Sequence, residues 1–328
     1  MSNARKKYVI GVDLGGTKML ASLLDEKFEV KALYKTAVEP NRGERYFFKN
    51  FTDSIDTLLS GKASIKDVRA IGVGCPGIIE VPEGIVRISP NISFLKNYPL
   101  REKLARHFKV PVIVENDVNA GLYGEQQFGA ARGYKHVAGV FLGTGVGGAL
   151  ILDGKLYRGA TGAAGEIGHT FLTLPSFLPG AQKAGTVEDF MGRLRIASEA
   201  MLLVMKQKAP KLLEITDYDI RKIKSKALAR SIEGGDEAVR ELITDKASLL
   251  GICLANVVNL LSPELIVLGG GLVEALGDVI LPAARQTMHD YAMKPLAAHV
   301  KVASAKLGDY AIVKGAAKLA VDSQGKKS

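Results

Sequence analysis

The sequence predicts a two-domain α/β protein, and three observations carry that prediction. The chain has 328 residues, enough for about two domains at ~150 residues each. Short apolar runs that end in glycine alternate with stretches whose apolar residues recur at helical spacing. Residues 139–153 (GVFLGTGVGGALILD) align without gaps on residues 11–25 (GVDLGGTKMLASLLD) and match at seven of fifteen positions, so the two halves repeat one plan.

The elements follow in order. Tyr8 to Asp25 reads as a β-hairpin: an apolar strand to Leu14, a turn at Gly15-Gly16-Thr17-Lys18, and a return from Met19 to Leu24. A third strand is expected over Phe28 to Lys35. Phe47, Phe51, Ile55, Leu58 and Leu59 make one helical stripe, with Gly61 beyond it as a C-cap. Val68 to Val73 reads as a buried strand ending in Gly74-Cys75-Pro76-Gly77. A helix over Leu100 to Phe108 halts before Pro111, and a strand over Val110 to Val114 ends at Glu115-Asn116-Asp117. The second half opens on the repeated hairpin. Long helices are expected over Val187 to Lys206 and Ala247 to Leu261. A strand over Glu264 to Leu268 ends in Gly269-Gly270-Gly271, with a helix after it. A last helix, Ala311 to Asp322, is expected to return to the first domain. The domains are then 1–116 with 309–328, and 117–308, joined by a hinge rather than a low-complexity tether.

Composition removes several classes of function. With 47% hydrophobic and 24% charged residues the chain is globular, not disordered. No apolar run approaches the ~18 residues of a membrane span, and Asp13 breaks the first one too early for a signal peptide. Two cysteines, Cys75 and Cys253, exclude a disulfide framework and a zinc site built on three or four thiolates, so a reduced, cytoplasmic protein is expected. The net charge of +10 is scattered over Arg5-Lys6-Lys7, Arg221 to Arg230 and Lys326-Lys327, as on a solvated face with a general attraction for anionic ligands. Only twelve residues precede Asp13, too few for a helix-turn-helix, and no zinc finger is present; neither nucleic acid nor membrane is an expected partner.

Four segments carry chemistry. Gly143-Thr144-Gly145-Val146-Gly147-Gly148 fits G-x-G-x-x-G, but a dinucleotide site needs a helix next and Ala149 to Asp153 reads as a strand. Two readings stay open: a hairpin turn that needs glycine backbone angles, or a cradle of backbone N–H groups for a phosphate. Gly11-x-x-x-x-Gly16-Thr17-Lys18 holds the parts of a P-loop, with the last two residues in reverse order and a strand following. Asp13 lies in an otherwise apolar strand, where it either caps its own turn or holds Mg²⁺ near a nucleotide. Asp117 ends a strand where open α/β sheets bind ligands, as a general base or as an Asx turn before a helix. Glu166 and His169, in a glycine-rich loop, are either solvated loop residues or a grip for vicinal hydroxyls.

Together these segments resemble the ROK family (repressors, open reading frames and sugar kinases) of the actin-like ATPase superfamily, over nearly the whole chain. Asp13 to Lys18 resembles that family's first phosphate motif, Gly143 to Gly148 the second, and Leu268 to Gly271 the adenosine motif. Glu115-Asn116-Asp117 matches the stretch holding the catalytic aspartate. Glu166-x-Gly168-His169 matches the sugar-gripping motif, and Pro90-Asn91 and Gly74 to Gly77 resemble small-domain sugar contacts. The resemblance implies an actin-like (ribonuclease H-like) fold with an active-site cleft between two domains. It implies an ATP- and Mg²⁺-dependent hexokinase phosphorylating the C6 hydroxyl, with glucose the first choice of sugar.

Sugar is then expected on Gly77, Asn91, Asn116, Asp117, Glu166, His169 and Glu188. ATP is expected on Asp13, Gly15, Gly16, Thr17, Lys18, Gly143, Thr144, Gly145, Gly269, Gly270 and Gly271, with Asp13 near Mg²⁺. The alternatives are a kinase for fructose, mannose, N-acetylmannosamine or N-acetylglucosamine, polyphosphate in place of ATP, and a sugar-responsive transcription regulator. A dimer or larger homo-oligomer is implied. One departure stands out. The family's C-x-C-G-x-x-G-C-x-E zinc cluster is replaced by residues 179–188 (PGAQKAGTVE), so no zinc is expected, and Pro175 and Pro179 are left to stiffen the loop before Glu188.

Overall fold

The computed structural model describes residues 6–173 and 185–325. Arg5, Lys326-Lys327 and the loop prolines Pro175 and Pro179 lie outside the described residues. The first elements are β1 (Tyr8–Leu14), β2 (Lys18–Leu24), β3 (Val30–Ala37), α1 (Gly43–Leu59), β4 (Val68–Cys75), β5 (Ile78–Glu80), β6 (Ile85–Ile88), α2 (Leu100–Phe108), β7 (Val112–Asn116) and α3 (Asp117–Phe128). There follow β8 (Val137–Leu142), β9 (Val146–Leu152), β10 (Lys155–Tyr157), α4 (Val187–Met191), α5 (Arg193–Met205), α6 (Pro210–Thr216), α7 (Ser225–Glu233) and α8 (Glu237–Leu261). The chain ends with β11 (Leu265–Gly269), α9 (Gly271–Tyr291), α10 (Lys294–Ala297), β12 (Lys301–Ser304) and α11 (Tyr310–Gly325).

Contacts divide the chain into two units. The first holds residues up to Gly133, Leu156–Ala164 and the segment from Asp309 on; the second holds Tyr134–Lys155 and Gly165–Gly308. The first unit's sheet has the order β3-β2-β1-β4-β7. Its hairpin strands are antiparallel and β1, β4 and β7 run parallel. The apolar face of α1 (Phe47, Phe51, Ile55, Leu58) packs into the core of this unit. Helices α3 and α11 pack on each other and on β4. Helix α3, placed by the sequence reading in the second domain, thus belongs with the first sheet because its buried residues meet α11 there.

The second unit's sheet has the order β10-β9-β8-β11-β12, again with an antiparallel hairpin followed by parallel strands. The repeat seen in the sequence is therefore one topology used twice. Two helical expectations change. The helix expected over 187–206 is two helices, because Gly192 is extended (φ −61°, ψ 143°) and the Arg193 N–H donates to the Thr144 carbonyl (3.2 Å) instead of continuing the turn. The helix expected from Ala247 starts ten residues earlier, at Glu237, since Val239 and Ile243 extend its buried stripe. Among the described residues no helix is long and apolar enough to cross a membrane.

The seam between α11 and its neighbours depends on missing side chains. A Cβ on Gly315 would collide with the Ala120 carbonyl oxygen of α3, and one on Gly11 with the Val313 carbonyl. Gly315→Ala is expected to lower stability by about 1–3 kcal/mol through overpacking. Urea unfolding of the variant should show an earlier midpoint with an unchanged slope, and a midpoint equal to the parent's would contradict this packing.

Candidate active site

Strand pairing sets the first group of residues. Asp13 on β1 lies beside Gly74 on β4, and Gly74 beside Glu115 on β7, so the C-terminal ends of three parallel strands form one row. Beyond Leu14 the chain turns through Gly15, Gly16 and Thr17, closed by the Gly15 N–H donating to the Lys18 carbonyl (2.9 Å). Thr17 and Lys18 are exposed. Asn91 packs directly over Gly16.

Asn116 and Asp117 open α3. The Asn116 side chain caps the helix by accepting from the Asn119 N–H (3.0 Å), and its Nδ2 donates to the Gly77 carbonyl (3.1 Å). Asp117 is the first helical residue, and its Oδ1 accepts from the Val118 N–H (2.9 Å). A carboxylate there interacts favourably with the helix dipole. Glu115, just before them, is fully buried. Its Oε1 accepts from the Asn116 N–H (3.0 Å) and from Asn119 Nδ2 (3.1 Å). Its Oε2 accepts from Arg158 Nε (2.7 Å) and meets Arg158 Nη2 at 2.6 Å.

The row is acidic. Burial, then the charges of Asp117 and Asp309, push the Asp13 carboxyl up to about 7, against a smaller opposing pull from Lys35. Burial, with the charges of Asp117 and Asp13 added to it, pushes the fully buried Cys75 thiol well above its ordinary range. Crowded carboxylates of this kind suit a hard divalent cation. Among the described residues no group of three or more His, Cys, Asp or Glu side chains is arranged to hold a metal ion. One or two carboxylates such as Asp13 and Asp117 are the kind of donor with which proteins commonly hold Mg²⁺ together with substrate phosphates.

The second unit supplies a second set. The turn Gly143–Gly145 between β8 and β9 is closed by the Gly143 N–H donating to the Gly145 carbonyl (2.9 Å), with Gly143 and Thr144 exposed. Glu188, in the first turn of α4, sits on this turn: its Oε2 accepts from the Val146 N–H (2.8 Å) and fills the space beside Gly145. Gly270, at φ +87°, lies against the Leu142 carbonyl, so the glycines after β11 adjoin the end of β8. A groove of about 600 Å³, lined among others by Gly269, Glu274, Gly277, Ser304 and Lys306, opens beside them. Glu166 and His169 are exposed on a loop whose Gly168 packs on the Val146 carbonyl, and their Oε2 and Nε2 are 3.9 Å apart.

Each unit thus brings one set of the expected residues together. Asp13, Gly15 to Lys18, Gly77, Asn91, Asn116 and Asp117 belong to the first; Gly143 to Gly145, Glu166, His169, Glu188 and Gly269 to Gly271 belong to the second. Sequence reasoning missed Arg158 and Asp309. Arg158 stands alone in a loop, and only the burial of Glu115, 43 residues away, reveals its role. Asp309 gave no local signal.

The family model described as "ROK family" matches residues 9–323. A glucokinase of Halalkalibacterium halodurans is 34% identical over 94% of this chain and 93% of that protein. A xylose repressor of Caldicellulosiruptor bescii is 30% identical over 94% of this chain and 76% of that protein. Among solved structures, a ROK family glucokinase from Streptomyces griseus in complex with glucose and AMPPNP is 29% identical. It superposes with a TM-score of 0.83 over 96% of this chain and 99% of that one.

The raised Asp13 carboxyl has a stability consequence with a definite sign. The folded chain holds this proton more tightly than the unfolded one, whose carboxyl keeps its ordinary value of 3.8. The contribution is therefore complete below about pH 4 and is lost as pH rises through about 7. Asp13→Asn should remove up to about 4 kcal/mol of that dependence. Urea unfolding of both proteins at pH 4, 5, 6 and 7 should show the gap widening in the variant's favour as pH rises, and parallel curves would overturn this electrostatic reading.

Proposed function

Since this chain belongs to the ROK family, we propose that it is an ATP-dependent hexokinase that phosphorylates glucose, or a close hexose, at the C6 hydroxyl. One observation carries this reading. Asp117 stands at the N-terminus of α3, just past the row of strand ends that holds Asp13, Gly74 and Glu115, at the end of the sheet where the chain also turns through Gly15–Lys18. Phosphoryl transfer needs one carboxylate to take the hydroxyl proton and a set of donors around the phosphates, with little other covalent chemistry. The relatives named glucokinase support the sugar kinase class.

In this reading Asp117 accepts the proton as the C6 oxygen attacks the γ-phosphorus of ATP. Backbone N–H groups of the turns at 15–18 and 143–145 hold the phosphates, with Thr17, Lys18 and Thr144 adding a hydroxyl, an ammonium and a second hydroxyl. Gly269, Gly270 and Gly271 leave room for the nucleoside. Gly77, Asn91, Asn116, Glu166, His169 and Glu188 hold the sugar hydroxyls, Glu188 by exchanging the Val146 amide for the sugar. Asp13 would hold Mg²⁺ bound with the nucleotide, and the ion would neutralise phosphate charge. The reading includes a cytoplasmic enzyme that works as a dimer or larger homo-oligomer.

A coupled assay of ATP-dependent phosphorylation against a panel of hexoses and N-acetylhexosamines tests the proposal. Glucose is expected to give the highest kcat/KM, and absence of turnover on every sugar would overturn it. Asp117→Asn should cut kcat by about 10²–10⁴-fold while sugar KM stays within about tenfold, the signature of a lost general base.

Glu166→Ala should act on the other parameter. It leaves sugar hydroxyls unpaired, at about 1–3 kcal/mol, which raises sugar KM by ~5- to 150-fold. The ATP KM should hold. A defect confined to ATP binding would show that this loop does not meet the sugar.

A further inference from the structure

We propose that Arg158 is a positioning residue for the general base: through the buried Glu115 it fixes the first turn of α3, and so the direction in which Asp117 presents its carboxylate. The inference rests on the kinase reading of Asp117.

The observations are geometric. Glu115 has no solvent exposure, and a carboxylate so buried is tolerated only when its charge is paired and its oxygens are filled. Arg158 supplies the charge, with Nε and Nη2 both on Oε2 at 2.7 and 2.6 Å. The other oxygen takes the Asn116 N–H at 3.0 Å and Asn119 Nδ2 at 3.1 Å. These two donors flank Asp117 in the sequence, one residue before it and two after. Asn119 also closes the cap by donating its N–H to Asn116 Oδ1 at 3.0 Å. The guanidinium is thus the cation that lets a charged oxygen sit under the cap, and the cap orients the residue between its two ends.

Arg158 comes from Leu156–Ala164, a stretch that belongs to the first unit although the chain on either side of it belongs to the second. Within that stretch the Arg158 carbonyl accepts from the Ala164 N–H (3.0 Å), which closes it into a short loop. A residue whose only task was to hold this loop could do so through its backbone. The fork of two donors on Glu115 serves the end of β7.

Arg158→Met removes the cation and keeps the aliphatic stem; Arg158→Lys keeps the charge and loses the fork. Steady-state kinetics on the full chain, normalised to the fraction folded by circular dichroism, separates positioning from folding. In Arg158→Met kcat is expected to fall about tenfold to a hundredfold, as for a displaced reactive group, with the ATP KM within twofold of the parent. Arg158→Lys should recover at least half of that loss on a logarithmic scale. If Arg158→Met does not fold, Glu115→Gln takes its place, with the same fall in kcat and the same unchanged ATP KM expected. Either variant with parental kcat per folded molecule, or a loss confined to melting temperature, overturns the inference while leaving the kinase reading intact. A parent protein without activity on any hexose overturns both.

Discussion

Parallel pairing is the constraint on which the first unit's chemistry rests. Once β4 pairs with β1 and β7 with β4, Asp13, Gly74 and Glu115 must lie abreast, and the hairpin turn and the start of α3 must emerge at the same end. A slip of one residue would turn every side chain of a strand to the other face. The apolar residues Ile10, Val12 and Leu14 forbid that slip because they are buried together in one core. Hydrophobic burial therefore sets the register, and the register sets which polar residues share a row.

That row is held at an energetic disadvantage. Burial, then the charges of Asp117 and Asp309, disfavour the charged form of Asp13, and its carboxyl keeps its proton to near-neutral pH. Glu115, in the same row, is instead paired with Arg158. The same strand ends thus carry one carboxylate paired with a guanidinium and another, Asp13, whose charged form is disfavoured by burial and by acidic neighbours. Carboxyls perturbed in this way are common at functional sites, where stability is given up for chemistry. In the kinase reading, the positive charge that relieves it arrives with the substrate.

The sequence made much of this legible where the signal was local. The two glycine turns, the alignment of 11–25 on 139–153 and the strand ends at Asp13, Glu115 and Gly269 all follow from short-range pattern, and the shared sheet order is their three-dimensional counterpart. What escaped depended on distant partners. Gly192 lies inside a helical stripe, and only the Arg193 to Thr144 hydrogen bond explains the break there. Arg158 is a polar residue in a polar loop until the buried carboxylate opposite is known. Glu188 aligned with a sugar-binding glutamate, yet it rests on the Val146 amide, a contact set by how α4 meets the β8–β9 turn.

Between Phe171 and Thr186 the sequence departs from the family's pattern. The family resemblance brings with it a cluster of three cysteines and a histidine on zinc, which ties this region and the following glutamate in place; here the cysteines are replaced. The ends of the segment are joined by backbone instead. The Val187 N–H donates to the Thr170 carbonyl (2.9 Å) and the Leu172 N–H to the Gly185 carbonyl (2.8 Å), with Phe171 bridged to Thr186. Asp189 then completes a capping box with Thr186, accepting from the N–H groups of Gly185 and Thr186 at 2.9 Å each, and those bonds hold its carboxyl below the ordinary range. Closing a loop at its ends costs entropy that grows only slowly with loop length. A short ladder and one cap therefore fix the start of α4. Glu188 lies inside that capped turn, so its position is set by the helix start.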